Sequence, residues 1–344
     1  MIDLQLDADE EMIRDTARAF AQERLAPAMR VHERLGGVDV ELVRAYRALG
    51  FAAMEAPATA GGQDASPLAR ALVLEELGAG DAGAAFALEG AGPAVQALVE
   101  LREAALLRDV LMRPELRVGL VFDGEGRLSL TSRTVSGTYP WVTVPASGCV
   151  AIVVVQGDRM ALVRDGIALA PVAPCGLAAA GACQLDFTAA PVVAMTSDGG
   201  AVARAHAHAR RFVAALLVGV ARAATEYAMR YAQDRVAFGR PIAHHQGLAF
   251  LLADMATGVE AARLALWRAA AGRDDDGGAH AAAWALAEAA EQALFVGPSA
   301  VQMLGGHGFM KDHPVEKWMR DIRTLALLHG GRDAAELETA AAEV

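Results

Sequence analysis

Apolar positions recur at helical spacing through both ends of the chain and give way to strand-like runs in the middle. From Phe212 they fall at Leu216, Gly219, Ala223 and Tyr227, and from Leu248 at Leu251, Met255, Val259, Ala262 and Leu266. Each series marks one face of a helix. AAAWALAEAAEQALFVGPSAVQMLGG and PVEKWMRDIRTLALL read as a third and a fourth long helix, with GRDDDGG (Gly272 to Gly278) as the solvated loop between the second and third. The order predicts a four-helix bundle over 198–344.

The first part, 1–115, is also helical. DADEEMIRDTARAFAQERLAP places Met12, Ala19 and Phe20 at helical spacing, with acidic residues at its start and Pro27 after its end. DVELVRAYRALGF is a second helix closed by Gly50. PLARALVLEELGAGD is a third, with Pro67 in its first turn, and GPAVQALVELREAALLRDVLMRP supplies one or two more. Near Leu116 the pattern changes to alternating and β-branched runs bounded by glycine turns, as in CVAIVVVQGDRMALVRDGIALAPV. Such runs predict a small antiparallel β domain over 116–197.

Composition narrows the function. The chain has 344 residues, 54% of them hydrophobic and only 5% aromatic, which favours a large core of packed helices. A net charge of -11 argues against nucleic acid as a partner and makes any phosphate site a local one. Cys149, Cys175 and Cys183 form no CxxC pair and read as small buried residues in a reducing compartment. The acidic start MIDLQLDADEEMIRD has no signal-peptide character, and no long uncharged apolar run predicts a membrane span. A cytoplasmic location is expected.

No spacing fits a metal site, since His206 and His208 would point to different sides of a helix. P-loop, Rossmann and nucleophile-elbow motifs are also missing. What stands out is a set of polar residues on otherwise apolar helices. In YAQDRVAFGRPIAHHQ, Arg235 and Phe238 lie three apart and Gln246 follows; in VQMLGGHGF, Gln302 precedes Gly305 and Gly306. An arginine fork suits a pyrophosphate and a phenylalanine can cover a ring, while paired glycines permit close approach. An Arg235 ion pair and a simple glycine cap explain the same residues, and from the residues alone these are the favoured reading.

Three stretches decide between these. YAQDRVAFGRPIAHHQGLAFLLADMATGVEAARL, QMLGGHGFMKDHPVEKWMRDIR and GFAAMEAPATAGGQDASPLARALVLEELGAGDAGAAFAL resemble, in order, segments of the acyl-CoA dehydrogenase family. The resemblance implies a mainly α fold with a helical N-terminal domain, a middle β barrel and a C-terminal four-helix bundle. It implies FAD as cofactor, with the adenine and pyrophosphate end held for a neighbouring subunit by positions matching Arg235, Phe238, Gln246 and Gln302 to Gly306. An acyl-CoA substrate and an electron-transferring flavoprotein follow as partners, with no membrane.

Two departures matter. The family's Thr-Glu-Pro-x-x-Gly-Ser-Asp loop, which holds the flavin ring and the thioester and is followed by Trp-Ile-Thr, has no counterpart in LRVGLVFDGEGRLSLTSRTVSG. The reaction takes an α-proton to a carboxylate while a β-hydride passes to the flavin. That glutamate's position falls on His329, with Gly331 in place of the following threonine. In a minority of the family it precedes an arginine on an earlier helix, and here Ala209 precedes the matching Arg210, a substrate-side position. The sequence therefore predicts the shortened, non-catalytic subunit of a heteromeric acyl-CoA dehydrogenase. A homodimeric or homotetrameric flavoenzyme using His329 in altered chemistry, and a flavin-free structural member, are the alternatives. By itself, RDIRTLALLHGG reads as a helix end with His329 as a dipole-facing cap.

Overall fold

The computed structural model describes residues 5–272 and 278–341. Residues 273–277 of the expected GRDDDGG loop lie outside the described residues. Six helices come first: α1 Ala8–Phe20, α2 Met29–Leu35, α3 Val40–Ala48, α4 Pro67–Leu88, α5 Val95–Glu100 and α6 Ala104–Met112. Asp7 starts α1 through a capping box with Glu10, and Ser66 caps α4 ahead of Pro67.

Details differ from the pattern. Met12 faces outward at 62% exposure, because the buried stripe runs through Ala17, Phe20 and Ala21. Pro27 does not end the helical path. A π-turn over Ala21–Leu25 and a short 3-10 turn over Ala26–Ala28, which takes Pro27 near its start, lead directly into α2. Helix α4 runs past GAGD to Leu88, bending at Asp81, whose extended backbone (φ -165°, ψ 103°) lets its carboxylate accept from Gly83 N at 3.1 Å and so restart the helix.

The middle of the chain is a seven-stranded sheet: β1 Arg117–Phe122, β2 Ser129–Leu130, β3 Thr134–Val142, β4 Cys149–Gln156, β5 Arg159–Val163, β6 Ile167–Pro171 and β7 Cys183–Thr196. Their order is β1-β4-β5-β7-β3-β2, with β6 also on β7. The expected antiparallel pattern fails at one place, where β1 and β4 pair in parallel. The crossover between them runs through β2 and β3, a connection that turn signals cannot reveal. Cys183 is buried and Cys149 half-buried, but Cys175 is exposed, against the expectation of three buried thiols.

Five helices close the chain: α7 Gly199–Asp234, α8 Gln246–Ala271, α9 Gly278–Leu304, α10 Val315–Leu325 and α11 Gly331–Ala341. By length and composition α7 passes as a membrane span, but 72% of its apolar window is buried within the fold. Helices α7 and α4 touch backbone to backbone. A Cβ on Gly219 would stand 2.0 Å from Glu75 O, and one on Gly78 2.7 Å from Leu216 O. Only glycine allows that approach, and it seats α4 against the bundle.

A buried charge cluster locks the N-terminal helices to α10. Lys317 Nζ lies 2.8 Å from Asp81 Oδ1 and 2.6 Å from Asp321 Oδ2, while His32 Nδ1 sits 3.0 Å from Asp81 Oδ2. Asp321 Oδ1 accepts from Leu177 N at 2.7 Å, which also ties in the loop before β7. Burial works against the Lys317 charge, but the two aspartates outweigh it and raise its pKa.

Candidate functional site: a cavity and an open arc

The sequence-predicted residues fall into two places. One is a cavity of about 880 Å³ between the α4–α5 junction, β1, β3 and the α10–α11 connection. The other is an exposed arc at the far end of α7.

His329 lines the cavity, but not as a helix cap. Helix α10 has already ended at Leu325, and His329 is held in left-handed backbone (φ 54°, ψ 45°) in the kink before α11. Asn or Gly would take that geometry more easily than histidine. Its carbonyl accepts a hydrogen bond from His206 Nε2 at 3.1 Å, so His206 carries its proton on that nitrogen. Phe122 stacks on His206 at 4.1 Å and meets the His329 ring edge-on at 5.1 Å. Burial, with His206 and Arg210 nearby, pushes the His329 pKa down to about 3, and burial with Arg210 pushes His206 to about 4. Both rings are neutral at physiological pH.

The linkage has a sign that can be measured. Unfolded, His329 titrates near about 6.5, so between that value and its folded pKa the unfolded chain binds a proton that the native chain does not. Stability contributed by neutral His329 is present above about pH 6.5 and is lost as the pH falls towards 3. His329→Asn, which tolerates the left-handed backbone, is expected to flatten this loss by about 1 kcal/mol per pH unit in denaturant titrations. Parallel curves for the two proteins between neutral and acid pH would refute the buried, neutral ring.

Arg210, on α7 behind these histidines, is 1% exposed and lies 2.7 Å from Glu338 Oε2 of α11. Its charge is therefore matched by the C-terminal helix. His208 points the other way, to Glu55 at 3.0 Å, as helical spacing requires. Glu55 also pairs with Arg70; burial opposes its charge, yet His208 and Arg70 hold its pKa down to about 2. Arg70 continues to Glu89, which reaches the cavity wall and accepts from the Tyr46 hydroxyl.

Where the family's flavin-ring loop is missing, the chain makes a compact turn. Asp123 accepts from Arg127 N at 2.9 Å, Leu128 N at 2.8 Å and Gln156 Nε2 at 2.8 Å. Sequence reasoning missed two neighbours of this turn. Trp141 and Thr143 line the cavity, and the string Trp141-Val142-Thr143 is similar to the family's Trp-Ile-Thr. The signal lay just beyond the stretch ending at Gly137.

The arc is a different kind of surface. Arg235 and Phe238 do not share a helix face, because α7 ends at Asp234. Arg235 is its C-cap, and Phe238 with Gly239 forms the two-residue turn of a hairpin (β8 Val236–Ala237, β9 Arg240–Pro241). Both turn residues have positive φ, 54° and 80°, and Phe238 is 97% exposed. Such a turn prefers Asn-Gly, so a phenylalanine there is strained, and its ring meets only His245, edge-on at 6.0 Å, among the described rings.

Ile242 N donates to Arg235 O at 2.8 Å, which brings the start of α8, with Gln246, beside the hairpin. Tyr231 Oη lies 2.9 Å from His307 Nδ1, which brings the Gly305-Gly306 turn and Gln302 to the same end. All six predicted residues are exposed, and among the described residues Arg235 has no ion pair. A Cβ on Gly239, Gly247, Gly305 or Gly306 would meet nothing within 4 Å, so the arc borders open space. A guanidinium, two amides, a helix N-terminus and an exposed ring are a donor set that fits an anionic phosphate and a flat base. The residues present fit the adenine and pyrophosphate end of FAD.

The family model described as acyl-CoA dehydrogenase, C-terminal domain, matches residues 198–344, and that of the N-terminal domain matches 7–102. Cyclohex-1-ene-1-carbonyl-CoA dehydrogenase of Geobacter metallireducens is 44% identical over 133 residues, 38% of this chain; the match spans only 35% of that relative's length. Butyryl-CoA dehydrogenase from Megasphaera elsdenii shares the fold, with a TM-score of 0.86 over 99% of this chain and 100% of that one at 23% identity. The probable acyl-CoA dehydrogenase FadE25 of Mycobacterium tuberculosis is 30% identical over 370 residues, covering 95% of this chain and 93% of that protein. With a relative aligned along nearly the whole of both chains and both terminal domains recognised, the chain belongs to the acyl-CoA dehydrogenase family.

Proposed function

We propose that this chain is a subunit of an acyl-CoA dehydrogenase assembly that lends the adenine and pyrophosphate half of an FAD site to a catalytic partner chain. Through that half-site it contributes to α,β-dehydrogenation of an acyl-CoA thioester. The observation that carries the reading is the contrast between the two places. The arc retains Arg235, Phe238, Gln246, Gln302, Gly305 and Gly306 around open space, whereas the cavity has His329 where the family has a carboxylate.

Removing a proton from carbon needs a base whose conjugate acid is matched to the working pH. A buried imidazole held at about 3 is a poor proton acceptor at neutral pH. That weighs against a homo-oligomeric enzyme with His329 as base. The compact Asp123 turn offers nothing in place of the missing flavin-ring loop. FAD, when bound across the two chains, supplies the hydride acceptor. Arg235 and the amides of Gln246 and Gln302 would hold its phosphates and base, and an electron-transferring flavoprotein is the acceptor in the same reading. We divide the chain at 115/116 and 197/198, between α6 and β1 and between β7 and α7.

Co-expression with an acyl-CoA dehydrogenase chain that carries Glu-Gly-Thr and the flavin-ring loop tests this. Turnover is expected from the pair and not from this chain alone. Turnover by the lone chain that His329→Ala abolishes would favour the alternative.

A further inference from the structure

A second, smaller cavity of about 340 Å³ lies between α1, α4, α7 and α8 and shares no lining residue with the first. Its size is at the low end of small-molecule sites. Leu72, Met229, Ala256 and Val259 give it an apolar lining. Its polar lining is a ladder of charges. Arg18 Nη2 lies 3.0 Å from Glu76 Oε1, and Arg222 Nη2 lies 2.7 Å from Glu76 Oε2. Arg222 Nε stands 3.2 Å from Glu75 Oε1, and Arg263 Nη2 2.8 Å from the same oxygen.

The ladder is not balanced. The carboxylates of Glu75 and Glu76 are buried, and three guanidiniums converge on these two anions. The other acids that reach the arginines, Asp15, Glu226 and Glu260, are between 49% and 61% exposed, where water and salt screen them. The inner ladder therefore carries one surplus positive charge. It also holds donors in want of an acceptor. Trp267 Nε1 and Arg222 Nε belong to the lining, are buried and make no hydrogen bond, the approach of Arg222 Nε to Glu75 being misaligned. Both are donors only, and buried polar groups are satisfied by protein, water or ligand.

Charge and donors narrow the ligand together. An ammonium would add a donor and a positive charge to a set that already has both in excess. A dianionic phosphate exceeds the single surplus charge and has no apolar body to set against Leu72 and Val259. A monocarboxylate with an apolar body matches both. We propose that this cavity binds a small free monocarboxylate, whose oxygens accept from Arg222 and Trp267 while its apolar body packs against Leu72, Met229 and Val259.

Benzoate, benzamide and inorganic phosphate are the probes, titrated calorimetrically into the full chain. Benzamide has the shape of benzoate without its charge. Benzoate is expected to bind about tenfold tighter than benzamide, the fold-change of a charge-assisted over a neutral contact, and tighter than phosphate. Trp267→Phe keeps an aromatic ring and deletes the indole N–H, and should weaken benzoate about fivefold, the fold-change of one net hydrogen bond. Arg222→Gln leaves the Arg18–Glu76 and Arg263–Glu75 pairs in place but removes the surplus charge, and should bring benzoate and benzamide to nearly equal affinity. Trp267→Phe strands no charge, so it decides the matter even where Arg222→Gln folds poorly. Benzoate that does not bind, benzamide or phosphate that binds as tightly as benzoate, or a Trp267→Phe chain with wild-type affinity for benzoate overturns the proposal.

Discussion

Replacing Lys317 with methionine is expected to destabilise the chain by about 3–5 kcal/mol, because removing one partner of a buried ion pair leaves uncompensated charge. Here the remaining charges are two. Asp81 and Asp321 are 0% and 1% exposed, and each has an oxygen within 2.8 Å of the Lys317 ammonium. The consequences are also local. Asp81 restarts α4 at its bend, and Asp321 holds the Leu177 amide, so neither carboxylate can turn away without releasing backbone. Urea unfolding of Lys317→Met against wild type measures this. A loss under about 1 kcal/mol, the scale of an exposed ion pair, would mean that the cluster is solvated and the account of domain locking wrong.

Arg235→Ala is expected to leave folding almost unchanged and to strip flavin from the assembled pair. Its side chain is exposed and has no ion pair among the described residues, so truncation opens no cavity and strands no buried charge. A charge-assisted contact to a phosphate contributes about 1.5–3 kcal/mol, which corresponds to a roughly 10- to 150-fold weaker FAD complex. Flavin retained after gel filtration of the variant pair, compared with the wild-type pair, reads this directly. Full flavin content with unchanged affinity would remove Arg235 from the half-site. Phe238→Asn makes a useful companion, since it relieves the positive-φ strain of the hairpin turn while deleting the exposed ring.

Much of this molecule is legible in its sequence because its helices are long and apolar, α7 being buried on every side from Ala207 to Ala221. The Phe212 to Tyr227 stripe predicts α7, and Gly219 in that stripe is the point at which α4 touches it. The arc residues are legible for another reason. They lie in contiguous strings, so a family resemblance carries them without any knowledge of the fold. What stays hidden is long-range or conformational. The parallel pairing of β1 with β4 depends on a crossover through two other strands. The bend at Asp81 reads locally as a helix stop, whereas its carboxylate restarts α4 through Gly83 N and is held in place by Lys317 and His32, from other parts of the chain.

His329 is the most instructive case. Leu-Leu-His-Gly-Gly has the letters of a helix cap, yet the backbone turns left-handed at the histidine itself and buries it. A cap near the helix dipole would favour the imidazolium, whereas burial beside Arg210 and His206 excludes it. In our reading, the position that carries the base in the family is filled here by a neutral ring in a strained backbone.

Flavin content of the purified pair tests the central claim most directly. If this chain lends only an adenine half-site, and its own cavity holds no flavin ring, the pair with a catalytic acyl-CoA dehydrogenase chain will carry one FAD for every two chains, and this chain purified alone will be colourless. One FAD per chain in the pair, or a lone chain that is yellow and turns over acyl-CoA, would contradict it.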